Sequence, residues 1–341
     1  MKMKKAKYLL WAAIACLIGM ASLGYYYTMT DFTDAEETQY VYIDNDDTID
    51  SVLIKLRPIA NEHGLTGLST LIRHTDYADH PLSGRYAISN GESTFNVMRK
   101  LRNGQQTAVK LTIPESRTME KLAAALSNRL MVDSAEVATA LKDNGYVKRW
   151  GYDTCTIPAL FVPNTYEVYW NTTLDHLLDR MTKEHDAFWN KERREKAEAA
   201  GLTLEEVCTL ASIIDEETAN NEEKPMIAGM YLNRLRAGMP LQADPTVKFA
   251  LKNFALRRIY HDMLFYDSPY NTYRYEGLPP GPIKIASIKG IDAVLNNIHH
   301  DYLYMCAKED FSGTHNFAVT YSEHLRNAAR YAKALNERNI K

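Results

Sequence analysis

Residues 210–245 read LASIIDEETANNEEKPMIAGMYLNRLRAGMPLQADP, and this stretch decides the fold of the chain. Just before it, Thr203-Leu204-Glu205-Glu206 has the form of a capping box: a Thr oxygen for an orphan backbone N–H, and a Glu three residues on to reach back. The helix started there carries Val207, Leu210, Ala211 and Ile214 on one stripe, spaced by threes and fours. At about 100° per residue, Glu217 falls within about 50° of the stripe's centre and Glu216 about 150° away. Asp215 and Glu216 are therefore expected to face water or the stripe's edge, and Glu216→Gln to cost little. Glu217 is expected to face inward at the end of an apolar surface. Desolvation there disfavours the charged form and raises the pKa, as a general acid near neutral pH requires. A structural carboxylate paired with Arg234 or Arg236 fits the same position, and helical geometry alone leaves both readings open.

Longer patterns surround this helix. Ala211 to Thr218 is followed by Ile227-Ala228-Gly229, Asn233-Arg234-Leu235, Gly238-Met239, Leu241-Gln242 and Asp244-Pro245-Thr246-Val247. Further on come Tyr270-Asn271-Thr272-Tyr273, Gly277-Leu278-Pro279-Pro280-Gly281-Pro282-Ile283, and His315, Phe317 and Thr320. In this order, across roughly residues 40 to 335, they closely resemble the YceG-like endolytic murein transglycosylases (MltG family). The resemblance implies that the Glu directly before the Thr, Glu217, is catalytic, the residue that the helical count also selects. It implies substrate contacts at Thr218, Gln242, Asp244, Thr246, Tyr270, Asn271, Thr272, Tyr273, His315, Phe317 and Thr320. Read by itself, Asp244-Pro245 is an N-cap with Pro at the first helical position. His315 is the only other obvious acid/base candidate, and it suits a plain hydrogen-bonding role equally well.

The chain has 341 residues, enough for two or three domains, and a net charge of −3 with both signs mixed, which gives no sign of a nucleic-acid partner. Its 22 Tyr against 9 Phe suit half-exposed sites with an apolar face and a polar tip, compatible with sugars. Lys2, Lys4, Lys5 and Lys7 precede an uncharged run from Tyr8 to Tyr27, long enough to cross a bilayer. The positive flank places residues 1–7 in the cytoplasm and the rest outside it. An uncleaved anchor is preferred to a signal peptide, because Tyr25-Tyr26-Tyr27 offers no small-x-small cleavage site. Of the four cysteines, Cys16 lies in the span, while Cys155, Cys208 and Cys306 are far apart and lack metal-like spacing. Free thiols are the default expectation for them, with one disulfide possible. Neither these nor His299 and His300 form a metal motif, and no cofactor is expected.

The expected fold class is α+β. A transmembrane helix (8–27) and a polar linker (28–40) lead to a small α/β module (41–112) and a mixed, mainly helical catalytic domain with short strands (113–341). In the module, Thr48, Thr94 and Thr118 each read as a cap before an apolar helical face. Strands are expected at Tyr40–Ile43, Gly84–Ile88 and Val109–Ile113. Its position and sequence resemble the family's LysM-like module, which implies glycan contact; a spacer role fits as well. Beyond it, Ser134 reads as the cap of a helix ending near Gly145, and a long amphipathic helix from Leu174 runs into the charges Lys191 to Glu198 and stops at Gly201. A second helix after Glu217 carries Ile227, Met230, Tyr231, Arg234 and Leu235 on its apolar side, and Tyr302–Cys306 with His315–Thr320 reads as a final hairpin. Phe161 to Tyr166 resembles a family turn that has Asp where this chain has Asn164.

The resemblance implies a lyase that cuts the β-1,4 bond from N-acetylmuramic acid to N-acetylglucosamine inside peptidoglycan strands and leaves 1,6-anhydro ends. The nucleophile is then the muramyl C6 hydroxyl, so one protein carboxylate suffices. Ordinary glycosidases need two at defined separations, and Asp244 is the nearby candidate for a second. A hydrolytic muramidase is therefore the alternative enzyme, and a non-catalytic glycan-binding scaffold the alternative class. The implied partners are glycan strands, the inner membrane and peptidoglycan synthases, with the protein ending nascent strands.

Overall fold

The computed structural model describes residues 2–256 and 258–338; Met1 and residues 339–341, the outer ends of the expected tail and catalytic domain, lie outside the described residues. The fold is mixed α+β, mainly helical with short strands, and it divides into two compact units. The first comprises Met1–Leu111 with Arg129–Met131 and Glu167–Thr173; the second comprises the remainder.

The first unit begins with α1 (Lys2–Met29), an exposed helix whose stretch Lys5–Met29 is long and apolar enough to cross a membrane. It is compatible with a single-pass anchor. Strand β1 (Gln39–Ile43), helices α2 (Ile49–Leu56) and α3 (Glu62–Ile72), strand β2 (Gly84–Ile88), helix α4 (Thr94–Arg102) and strand β3 (Val109–Thr112) follow. β1 and β2 pair antiparallel, with Val41 opposite Tyr86. Because strand side chains alternate, Val41 and Ile43 of β1 and Tyr86 and Ile88 of β2 face one core with Val52, Leu56, Leu68, Ile72, Val97 and Leu101. Each such side chain contributes roughly 1.5–3 kcal/mol of burial. Part of the expected linker belongs to this unit: Phe32 is fully buried and its N–H bonds Glu92 O at 2.8 Å. Thr48 caps α2 as expected, but Ser93, not Thr94, caps α4, its hydroxyl accepting from Asn96 N. Thr94 is instead the first helical residue and is fully buried.

The second unit holds α5 (Met119–Ser127), capped by Thr118, then α6 (Ser134–Ala140) and α7 (Asn144–Val147). Asp133 caps α6 in place of Ser134, since its carboxylate reaches the N–H groups of both Ala135 and Glu136. Strand β4 (Thr165–Val168) and α8 (Leu174–Phe188) come next. The charged run is a separate helix, α9 (Lys191–Ala200), started by Asn190 and closed by Gly201 at φ 75°. Then come α10 (Leu204–Glu217), α11 (Lys224–Arg236), α12 (Asp244–Ala250) and α13 (Ile288–Leu295). The antiparallel hairpin β5 (Tyr304–Ala307) and β6 (His315–Ala318) leads into α14 (Tyr321–Glu337).

The core of this unit is α10. Its capping box forms as expected, with Thr203 Oγ1 accepting from Glu206 N and Glu206 accepting from Thr203 N. The single apolar stripe does not hold. Every residue from Val207 to Ile214 is buried, because α9, α11, α12 and α13 pack around the helix. A helix buried all round needs its polar residues satisfied inside. Ser212 Oγ accordingly donates to Thr209 O and accepts from Ile283 N, tying the Gly277–Pro282 loop to the helix.

Candidate active site

Three consecutive carboxylates end α10, and all three point into protein. Asp215, expected near water, has a side chain 2% exposed. Its Oδ1 accepts from the buried Lys224 Nζ at 2.6 Å and from Ser287 Oγ at 2.7 Å, and its Oδ2 accepts from Ser287 N at 2.7 Å. This one side chain fastens the end of α10 to the starts of α11 and α13. A Cβ on Gly290 would come within 2.6 Å of Asp215 Oδ1, so the first turn of α13 needs glycine there. Glu216 is not turned outward either: its side chain is 17% exposed, Arg117 grips it with Nε and Nη2 at 3.0 and 2.7 Å, and Lys284 Nζ lies 3.8 Å away. The helical count mislocated both because it assumed one wet side.

Among the described residues, Glu217 differs from its neighbours in having no cation bonded to it. Neither Arg234 nor Arg236 pairs with it among the described residues: Arg234 donates to the carbonyls of Leu303, Pro240 and Leu241, and Arg236 to Asn233 Oδ1. Glu217 Oε1 accepts from the buried Tyr231 hydroxyl at 2.8 Å, while Oε2 has no partner among the described residues. Burial pushes the Glu217 carboxyl up to about 7; the Tyr231 bond pulls it down and the charge of Asp244 pushes it further up. A carboxylic acid with one oxygen held by a donor and a proton free on the other is arranged to protonate something in front of it.

That space is a cleft of about 350 Å³, lined among others by Glu217, Tyr231, Gln242, Asp244, Tyr273 and His315. Arg234 holds its wall: the residue is buried, and besides its carbonyls its guanidinium reaches Gln242 Oε1 at 3.3 Å. Gln242 has φ 51°, a strained conformation for a residue with a side chain, fixed by the bond from its N–H to Thr272 O. Asp244 accepts from the Tyr273 hydroxyl at 2.7 Å. It is the first residue of α12 and caps nothing; Ala243 occupies the N-cap position, without a side-chain bond. The expected capping role of Asp244 is thereby corrected, and its carboxylate is left in the cleft. His315 bonds Glu223 through both backbone N–H and ring Nδ1. Among the described residues, no group of three or more His, Cys, Asp or Glu could hold a metal ion.

A sequence profile of the YceG-like family matches residues 41–330. The chain belongs to the YceG-like family. It is 30% identical over 272 residues to the endolytic murein transglycosylase of Bacillus subtilis, covering 75% of this chain and 74% of that one. It is 26% identical to the endolytic murein transglycosylase of Streptococcus pneumoniae serotype 2 over 94% of this chain, which spans 64% of the pneumococcal protein. Among solved structures it is similar to a YceG-like protein of Listeria monocytogenes, with a TM-score of 0.55 and 26% identity over 86% of this chain and 99% of that one.

Of the positions at which the YceG-like resemblance implies substrate contact, Gln242, Asp244, Tyr273 and His315 line the cleft with Glu217. The others serve the scaffold around it. Thr218 closes α10 and accepts from Asn220 N. Thr246 and Thr272 are buried and bond each other at 2.9 Å, and Thr272 Oγ1 also accepts from Ala243 N, which clamps the segment carrying Gln242 and Asp244. Asn271 is fully buried, donating to Leu264 O and Tyr266 O and accepting from Tyr273 N. Tyr270 packs on Phe249 at 4.7 Å in a different hollow. Phe317 packs on Tyr302 at 5.6 Å, and Thr320 caps α14. The Tyr231 bond to Glu217, the Glu223 bond to His315 and the Asp215 clip are features around the cleft that the sequence reading missed. Tyr231 reads as one more residue of an apolar helix face, and its only hint is the polar tip that a buried Tyr must satisfy. The four cysteines are free, Cys208 being buried and Cys306 lining the cleft.

Proposed function

We propose that this protein is a peptidoglycan lytic transglycosylase that cuts glycan strands internally between N-acetylmuramic acid and N-acetylglucosamine, with Glu217 as general acid and base. The observation that carries the reading is the state of Glu217: raised to about 7, unpaired with any cation among the described residues, and facing a cleft in a YceG-like chain whose relatives are named endolytic murein transglycosylases. Protonated Glu217 gives its proton to the glycosidic oxygen as the C1–O bond breaks. The muramyl C6 hydroxyl attacks C1, and its proton returns to Glu217. The product ends in a 1,6-anhydro ring, and no water is consumed. Asp215 and Glu216 do not share this task, since the oxygens of each are taken up by a cation partner, Lys224 for Asp215 and Arg117 for Glu216.

In this reading Gln242, Asp244, Tyr273 and His315 meet the sugar, while Thr218, Thr246, Asn271, Thr272, Tyr270, Phe317 and Thr320 act through the shape of the groove. The strand–helix–helix–strand module holds the glycan strand in the manner of a LysM-like domain. α1 anchors the protein in the inner membrane with the catalytic unit outside, where it works beside peptidoglycan synthases and ends nascent strands. A hydrolytic muramidase has one observation in its favour, the Asp244 carboxylate lining the same cleft. The test is Glu217→Gln assayed on purified sacculi. The variant is expected to fold, to bind sacculi and to release nothing; full release would overturn the proposal.

A further inference from the structure

We propose that His315 and Glu223 form a proton-carrying dyad in the Glu217 cleft. His315 Nε2 takes the proton of the attacking sugar hydroxyl and hands it back to Glu217, and Glu223 fixes the ring tautomer that allows this. The inference rests on the transglycosylase reading and adds a second proton-handling group to it.

The geometry begins at the start of β6. The His315 side chain is 15% exposed and that of Glu223, just ahead of α11, is 9% exposed. Glu223 Oε1 accepts from His315 backbone N at 2.6 Å, and Oε2 lies 2.9 Å from Nδ1. An ionised carboxylate only accepts, so Nδ1 carries the hydrogen and a neutral ring presents its lone pair at Nε2. Nε2 has no protein partner among the described residues, and the ring lines the cleft. The other histidine of the cleft lacks this arrangement. His324 stacks on Tyr304 at 5.5 Å, and its Nδ1 is buried with no hydrogen-bond partner. Nearby His300 spends both ring nitrogens on backbone, Nε2 on Met226 O and Nδ1 on Tyr302 N. His315 alone among these has a carboxylate to orient it and a free basic nitrogen.

Glu217 has a reason to need such a partner. Tyr231 occupies its Oε1, so one oxygen, Oε2, is left to address two proton positions on the substrate. With the dyad the step balances. The Oε2 proton moves to the departing glycosidic oxygen as C1–O4 breaks. O6–C1 forms as the O6 proton moves to Nε2, giving an imidazolium beside the Glu223 carboxylate. That proton then passes through cleft water to the Glu217 carboxylate, restoring both groups. Glu223 touches no substrate in this scheme; it is a positioning residue.

The test uses the full-length chain in detergent micelles on purified, uncrosslinked glycan strands, counting anhydro ends against time. Glu223→Gln keeps the size and the backbone bond, but its amide N–H must donate to Nδ1, which moves the ring hydrogen to Nε2. His315→Asn keeps a donor toward Glu223 and removes Nε2. Both are expected to lower kcat about 100-fold, with KM within about threefold and the thermal midpoint unchanged. The ¹H–¹⁵N spectrum of the unmodified protein is expected to show His315 as the Nδ1–H tautomer. A folded variant of either kind with kcat within about threefold of wild type, a loss confined to KM, or an Nε2–H tautomer overturns the dyad. Glu217→Gln run alongside separates the two claims: if it retains the full rate, the transglycosylase reading fails; if it is inactive while Glu223→Gln and His315→Asn are not, the dyad alone fails.

Discussion

Replacing Glu217 by Gln should stabilise the protein, increasingly so as pH rises from about 4.5 to above 7. The folded carboxyl sits at about 7 against 4.5 for a free one, chiefly because burial disfavours its charge. Its folded pKa lies above the unfolded value, so between those two pH values the native state holds a proton that the unfolded chain has released. Stability therefore falls as pH rises through that window, and the full penalty is present above about pH 8. At about 1.4 kcal/mol per pH unit it amounts to at most about 3–4 kcal/mol. Gln has the same shape, accepts the same Tyr231 hydroxyl and never ionises. Near pH 4 the two proteins should melt together, because the wild-type acid is neutral there. At pH 8.5 the variant should melt higher by roughly 6–16 °C, at about 2–4 °C per kcal/mol for a unit of this size. The assay is thermal unfolding of both full-length proteins at one scan rate across this pH range. A difference in midpoint that does not change with pH would falsify the claim that Glu217 is held neutral by burial.

Three further outcomes follow from the same geometry. Tyr231→Phe removes a donor that favours the ionised carboxylate, so the alkaline limb of the rate profile should move to higher pH by about 0.5–1 unit; a limb that stays put or moves down contradicts the role given to that bond. Asp215→Ala leaves Lys224 buried without a counter-charge and unfastens α10 from α11 and α13, and should cost about 3–5 kcal/mol in denaturant unfolding. Glu216→Gln breaks the Arg117 fork; because Arg117 is 40% exposed and screened, the loss should be about 1–2 kcal/mol, with a lowered melting midpoint, and a midpoint equal to wild type would return Glu216 to the surface.

Local signals in the sequence carried the framework. The capping box at Thr203, the strand-like runs Tyr40–Ile43 and Gly84–Ile88, and Gly201 as a C-cap are each decided within a few residues, and each forms. Glu217 was legible for the same reason, since its inward direction follows from a count along one helix. What the count could not contain is the surroundings of the helix. Asp215 meets Ser287 and Glu216 meets Arg117, the latter 99 residues away, and no periodicity encodes a partner at that distance. An assumption of one wet side therefore turned one buried and one half-buried ion pair into surface charges. The motif residues failed differently. Thr246, Asn271 and Thr272 stand out in sequence as strongly as Gln242 or Tyr273, yet they are buried clamps while the latter line the cleft. A motif marks positions that the site needs, and only packing separates those that face the cleft from those that hold it. The His315–Glu223 pair joins two segments 92 residues apart and becomes visible only once the hairpin is laid against the start of α11.

The most direct test of the central claim is the chemistry of the cut end. Sacculi digested by the full-length protein in detergent are reduced with borohydride, and the masses of the released fragments are read. The account predicts ends that resist reduction and weigh one water less than a free muramic acid end, formed by the wild type and not by Glu217→Gln. Reducible ends would mean that water is the nucleophile and that Asp244 acts as a second carboxylate, contradicting the single-carboxylate mechanism.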